Sequence, residues 1–276
     1  MTVQIRTLLP LAALMFAPLA LAAAPDRADS PERSGATSDA RHDADGHSAD
    51  NGLKPFRATY RVSYGVLSGE LVLELEHRMG DDWMLTSTAT TRGVARVFRR
   101  GELVERTLLR ADDNGIRPME YNRTDGISGP DRNASLMFLH EEDRVVGSDR
   151  EDEVDLSMNG DLSDRLSMQV RLMFDLLNGE RPESYQVIDR AEIRKLSITY
   201  AGDEQVRAAG SDYDALRIEH QSENSSRSTR LWLAREERFL PVRIKQLRRG
   251  STEWTGELRE VIWGEAPSSA AAAARR

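Results

Sequence analysis

Cysteine is absent from the whole chain of 276 residues. That excludes disulfides, thiolate catalysis, thiolate zinc sites and a lipidated N-terminal Cys. A domain of this size can bury enough surface to be stable without covalent cross-links. Lysine is scarce, confined to Lys54, Lys195 and Lys245, so Arg supplies nearly all the positive charge. That bias reads as genomic base composition rather than as a phosphate-reading surface. There is no positive excess either. The formal net charge of −8 argues against general nucleic-acid binding and against electrostatic docking on anionic lipid. Beyond the first 22 residues no apolar run is long enough to cross a bilayer as a helix. Catalytic signatures are missing too: there is no Gly-x-Ser-x-Gly elbow, no His-Glu-x-x-His pair and no Gly-rich phosphate loop.

What is present begins with a leader. Arg6 gives a short positive start, Leu8 to Leu21 is a compact apolar run, and Ala20-Leu21-Ala22 places small residues where a signal peptidase reads them. This order predicts a secretory signal over residues 1–22, cleaved before Ala23, and hence a periplasmic protein without a transmembrane segment. Residues 23–52 are rich in Asp, Ala, Ser, Gly and Arg. They hold too little apolar surface to offset chain entropy and predict a disordered acidic linker. Residues 265–276 predict an Ala/Ser tail of the same kind. The folded unit is then 53–264.

Inside that unit, period-two alternation dominates. Phe56, Ala58, Tyr60, Val62 and Tyr64 share one face of a strand, and Leu71, Leu73 and Leu75 share one face of the next. About a dozen such segments follow, separated by Gly/Asp/Asn turns. One stretch breaks the period. From Asp161 to Asn178 the apolar residues Leu162, Leu166, Val170, Met173, Phe174 and Leu177 recur at helical spacing. Asp161 or Ser163 is placed to cap the start, and Gly179 with Pro182 stops the helix. A second helical turn is expected near 94–99. The fold class is therefore mainly β, a long antiparallel sheet curled into a closed or half-open barrel with one main α-helix. A β-sandwich is the alternative.

Asp164-Arg165-Leu166-Ser167-Met168-Gln169-Val170-Arg171-Leu172 resembles the Asp-x-Leu-Ser-x-Gln-x-x-Leu helix of the DUF3108 family. Tyr60 to Tyr64 followed by Gly69, Gly115-Ile116-Arg117-Pro118 with Tyr121, Gly202-Asp203-Glu204, Tyr213-Asp214-Ala215, Leu231 to Ala234 and Leu240 to Ile244 are similar to its other strands, in order. The resemblance covers most of 53–264. It implies an exported β-barrel-like domain of the bacterial envelope with no established activity, related in style to the half-barrels of lipoprotein carriers.

Chemistry-bearing residues are few. His42, Asp43, Asp45 and His47 offer metal-binding groups, but in a flexible linker with no second shell they read as solvated, so no metal and no cofactor is expected. His77, His140 and His220 are isolated on strands and read as structural or surface residues. The acidic stretches Glu141 to Asp143 and Asp149 to Asp155 read as solvated loops rather than as a glycosidase pair. Asp164 and Ser167 lie three apart at the helix start and could orient a ligand headgroup. The simpler reading is that Asp164 serves the helix dipole and Ser167 packs. The apolar set carries more information. Leu166, Val170, Met173, Phe174 and Leu177, with Trp232 and Trp254, are expected either to fill a core or to line a cavity for a lipid-like ligand. The leading expectation is a non-enzymatic protein binding a hydrophobic small molecule. The alternatives are a scaffold for an envelope protein partner and, last, a hydrolase with an unrecognised site.

Overall fold

The computed structural model describes residues 53–93, 101–112 and 115–265. The expected leader, the acidic linker with His42 and His47, the helical turn near 94–99 and the tail beyond residue 265 lie outside the described residues.

The described chain forms one sheet of 15 strands and one α-helix. The first half contributes β1 (Phe56–Tyr64), β2 (Leu67–His77), β3 (Asp82–Arg92), β4 (Glu102–Asp112), β5 (Gly115–Asp125), β6 (Ala134–Leu139), β7 (Arg144–Asp149) and β8 (Asp152–Ser157). After the two-residue β9 (Leu162–Ser163) comes helix α1 (Ser167–Leu177). The second half is β10 (Ser184–Asp189), β11 (Glu192–Ala208), β12 (Ser211–Ser222), β13 (Arg227–Ala234), β14 (Leu240–Arg248) and β15 (Ser251–Trp263). The strand order is β8-β7-β6-β5-β4-β3-β2-β1-β15-β14-β13-β12-β11-β10-β9. Neighbours are antiparallel except for β9 with β10, which are parallel. A single sheet removes the sandwich alternative.

This order makes the sheet curl. Its two end strands, β8 and β9, are consecutive in sequence. The four residues between them allow a separation of at most about 18 Å. The middle of the sheet is the antiparallel pair β1–β15, which joins the two ends of the folded chain. Side-chain alternation then has a single sense, and one row of ladder partners runs Ala58–Leu73–Ser87–Glu105–Arg123–Ala134–Asp149 across seven strands. All seven are buried. The second half has its own inward row, Ile198–His220–Thr229–Gln246–Trp254, also buried. The result is a half-open barrel whose seam lies between β8 and β9.

Two strand prolines sit where the ladder is already interrupted. Pro118 on β5 lies at a register shift against β4, and Pro241 lies at a shift where β14 begins. A missing N–H is tolerated at such positions.

The helix starts later than its periodicity predicts. Leu162 and Ser163 are extended and pair with Gln186 and Val187 of β10, and α1 begins only at Ser167. Leu162 fits the helical spacing because a core-facing strand residue happens to fall in phase with the stripe. The stop is as expected. Gly179, at φ 81°, donates its N–H to Leu176 O, and Glu180 N–H reaches Asp175 O, which is a Schellman ending. The stretch Asp152 to Ser157 is a further departure. It is a strand rather than a solvated loop, with Val154 buried and Asp152, Glu153 and Asp155 exposed.

Candidate functional site

Helix α1 packs on β5 and is enclosed on most sides. Eight of its eleven residues are buried, so it fills the barrel interior rather than lying on it as an amphipathic cover. Leu166, Val170 and Met173 of the expected stripe are buried, while Phe174 and Leu177 are half-buried. Met168, Leu172 and Leu176, on the other side of the helix, are buried as well.

Asp164 and Ser167 are brought together, and each completes the helix start. Asp164 Oδ1 accepts from the backbone N–H of Leu166 at 2.7 Å and of Ser167 at 3.0 Å, and from Thr107 Oγ1 on β4 at 3.0 Å. Ser167 Oγ accepts from the Asp164 N–H at 2.8 Å. The side chain that satisfies the N–H groups leading into the helix is therefore that of Asp164, and not that of Asp161 or Ser163. Asp161 instead pairs with Arg171 at 2.7 Å. Burial pushes the Asp164 carboxyl above the usual carboxylate range, against the pull of its hydrogen bonds.

The tryptophans do not converge. Trp254 faces inward beside Gln246, in the row that carries His220. Trp232 lies in phase with Ser228 and Arg230 on the outer face of β13. There its Nε1 donates to Glu204 at 2.7 Å and its ring lies under Arg243 and Lys245. It is buried because long cationic side chains cover it, not because it faces the helix. Trp263 donates to Glu237 at 2.6 Å.

The barrel interior holds an unexpected set of charges. Glu105, Arg123, Asp125, Asp149, Arg165 and Asp189 are all buried. Arg165, just before α1, stands between Glu105 of β4 at 3.6 Å and Asp189 of β10 at 3.5 Å. Tyr121 of β5 donates to Glu105 at 2.6 Å, and Arg123 pairs with Asp125 at 3.1 Å. Across the seam, Asp149 of β7 accepts from the Arg190 N–H in the β10–β11 turn at 2.7 Å. Asp175 of α1 accepts from Tyr185 of β10 at 2.6 Å, and burial raises its carboxyl. Burial also raises the Asp189 carboxyl, although Arg165 opposes it. The Arg190 guanidinium is pushed down to about 10 by burial and by neighbouring Arg150.

The seam-side charges border a cavity of about 40 Å³. Inward-phase residues of five strands line it, including Asp189, Arg194, His220, Arg227, Thr229 and Gln246, and Arg165 closes one side. Burial pushes the His220 imidazole down to about 3, so it is neutral at neutral pH. Arg227 is held by both oxygens of Glu253, at 2.7 and 3.0 Å. Two other cavities lined by described residues lie elsewhere, one on the outer face around Arg217, Glu219 and Arg230 and one between β2 and β3. None of the three is lined by Val170, Met173, Phe174, Leu177, Trp232 or Trp254. Among the described residues no group of three or more His, Asp or Glu could hold a metal ion. No described helix is long and apolar enough to cross a membrane.

The family model described as "Protein of unknown function (DUF3108)" matches residues 56–253. No curated protein matches the chain. Among solved structures, the chain is similar to a beta-barrel-like protein of the unknown-function domain DUF1849 from Brucella abortus, at 11% identity and a TM-score of 0.49, covering 77% of this chain and 99% of that one. A putative exported protein with a YmcC-like fold from Bacteroides fragilis matches at 11% identity and a TM-score of 0.35, covering 76% and 96%. The MucA/MucB complex of Pseudomonas aeruginosa matches at 10% identity and a TM-score of 0.35, covering 81% of this chain and 56% of that one.

Proposed function

The chain belongs to the DUF3108 family of proteins of unknown function, and on that footing we propose that it is an exported periplasmic protein that binds rather than catalyses. Its ligand is a hydrophobic, lipid-like molecule that docks against the C-terminal end of α1. The observation that supports this reading is the uneven burial of the helix: Phe174 and Leu177 remain half-buried at the end of an otherwise enclosed apolar element. An apolar helix end left partly open is suited to cover by an acyl chain. Three carboxylates around α1 favour binding over chemistry, because they are engaged by structural partners: Asp164 Oδ1 by three donors, Asp175 by Tyr185, and Glu105 by Tyr121.

The test is lipid extraction of the purified full chain, mass spectrometry of the extract, and displacement of a bound fluorescent dye. Copurified lipid is expected, together with dye binding weakened about tenfold by Phe174→Asp or Leu177→Asp, since each fully buried apolar side chain is worth about 1.5–3 kcal/mol. No copurified lipid and no displacement would overturn the reading.

A second reading, an adaptor for an envelope protein, is favoured by a different observation. Among the described residues strand β8 ends the sheet and pairs only with β7, which leaves one backbone edge there for strand addition. A photo-crosslinker at Glu153 capturing one stoichiometric protein in cells would support it, and the absence of any such product would remove it.

A further inference from the structure

We propose that the cavity beside Arg165 is an oxyanion site that takes a carboxylate group. The inference goes beyond the apolar docking surface and does not rest on it.

Arg165 is nine-tenths buried and lines the cavity, yet its Nε and Nη2 have no hydrogen-bond partner. Its two carboxylate neighbours stand at 3.5 and 3.6 Å, well beyond the 2.7–2.9 Å of a charge-assisted hydrogen bond. Nη1 makes a long hydrogen bond to Asp189, and a buried guanidinium whose charge is balanced while Nε and Nη2 stay idle is an unusual arrangement. Arg194 lines the same space, paired with Glu192 through Nη2 while its buried Nε has no partner. Arg227 supplies a third guanidinium to the wall, and Asp189 is the single carboxylate there. Arg227 is already held by Glu253, so the unpartnered guanidinium donors at the cavity are Arg165 Nε and Nη2 and Arg194 Nε, and a guest that satisfies them must be mainly an acceptor.

Size narrows the guest. A cavity needs roughly 10–15 Å³ per water, so about 40 Å³ gives space for three small atoms. That is the bulk of a carboxylate rather than of a tetrahedral phosphate. Nε and Nη2 form one edge of the guanidinium fork, which matches the two oxygens of a planar carboxylate. Such a group arrives either on a small free acid or as the head of a fatty acid.

The test is calorimetric titration of the delipidated full chain with sodium acetate and with sodium decanoate, against sodium chloride at matched ionic strength. Saturable binding of either carboxylate, absent with chloride, is the expected result. Acetate binding as tightly as decanoate assigns a free acid, and decanoate alone assigns a fatty acid head. Arg165→Lys and Arg194→Gln are each expected to weaken binding about tenfold or more, through loss of a charge-assisted hydrogen bond. Arg194 is partly exposed, so its variant reports even if the Arg165 variant fails to fold. Heats equal to those of chloride would mean that the cavity holds only water, and binding unchanged in Arg194→Gln would mean that the anion sits elsewhere. Either result overturns the proposal. Dye displacement at α1 is read separately, so the two ideas can fail independently.

Discussion

Asp164 occupies a fully buried position where a charge is costly, and three donors converge on one of its oxygens. Removing that acceptor leaves two backbone N–H groups and a threonine hydroxyl unpaired. Asp164→Ala is therefore expected to cost about 2 kcal/mol. Asp164→Asn keeps an acceptor and discards the buried charge, and is expected to stay within about 1 kcal/mol of the parent. Urea midpoints at unchanged slope measure both. An alanine variant as stable as the parent would return Asp164 to the role of a ligand-facing group. The sequence places Asp164 and Ser167 three apart near the helix start, but read alone it assigns the cap to Asp161 or Ser163, Asp164 to the helix dipole and Ser167 to packing. The interior charges were not legible in the sequence, although a signal existed. Glu105 and Thr107 are in phase with Leu103 and Leu109, Arg123 with Tyr121, and His220 with Leu216 and Ile218. Reading phase ahead of polarity would have put all of them inside. Trp232 misleads in the other direction, since its phase is outward and only the arginine and lysine stems above it make it buried.

At the scale of single strands and turns, glycine positions differ in what they enforce. Gly147 on β7 has φ 139°, and a Cβ there would lie 2.0 Å from Ser135 O on β6. The clash is with backbone, so the β6–β7 pairing itself must yield. Gly147→Ala is expected to cost about 3 kcal/mol or more. Gly65, in the β1–β2 turn, also has positive φ, at 55°, but a Cβ there meets nothing within 4 Å. Gly65→Ala is expected to cost only about 1 kcal/mol. Thermal unfolding followed by circular dichroism ranks the two, and equal losses would contradict the close approach. Most strands were legible because alternation over nine to eleven residues is hard to produce by chance, as in β1 to β5. Strand β8 was not, because three acidic residues surround one buried Val154 and the window is too short for periodicity to speak. The helix boundary slipped for a related reason: Leu162 satisfies both periods, and only its pairing with Gln186 decides between them.

For the whole molecule, the unclosed seam is the weakest line of the barrel. Elsewhere neighbouring strands are held by ladders, whereas β8 and β9 are both end strands of the sheet. The seam is bridged by side chains, among them Arg165 between Glu105 and Asp189, and Asp149 on the Arg190 N–H. Native-state hydrogen exchange is expected to find the amides of β9 opening at least about a hundredfold more readily than those of β1 and β15. Uniform protection around the sheet would show a seam as strong as the ladders. The curled single sheet was legible from strand number alone, but the position of its opening was not, because alternation is silent on which strands are neighbours. The same strand order fixes when the body can be completed. Strand β1 pairs with β15, about two hundred residues further on, so a newly made chain leaves that edge of β1 unmatched until β15 arrives. Assembly is then governed by a very late long-range encounter, and for that interval the exposed margin of β1 is the part of the polypeptide most in need of a chaperone's protection.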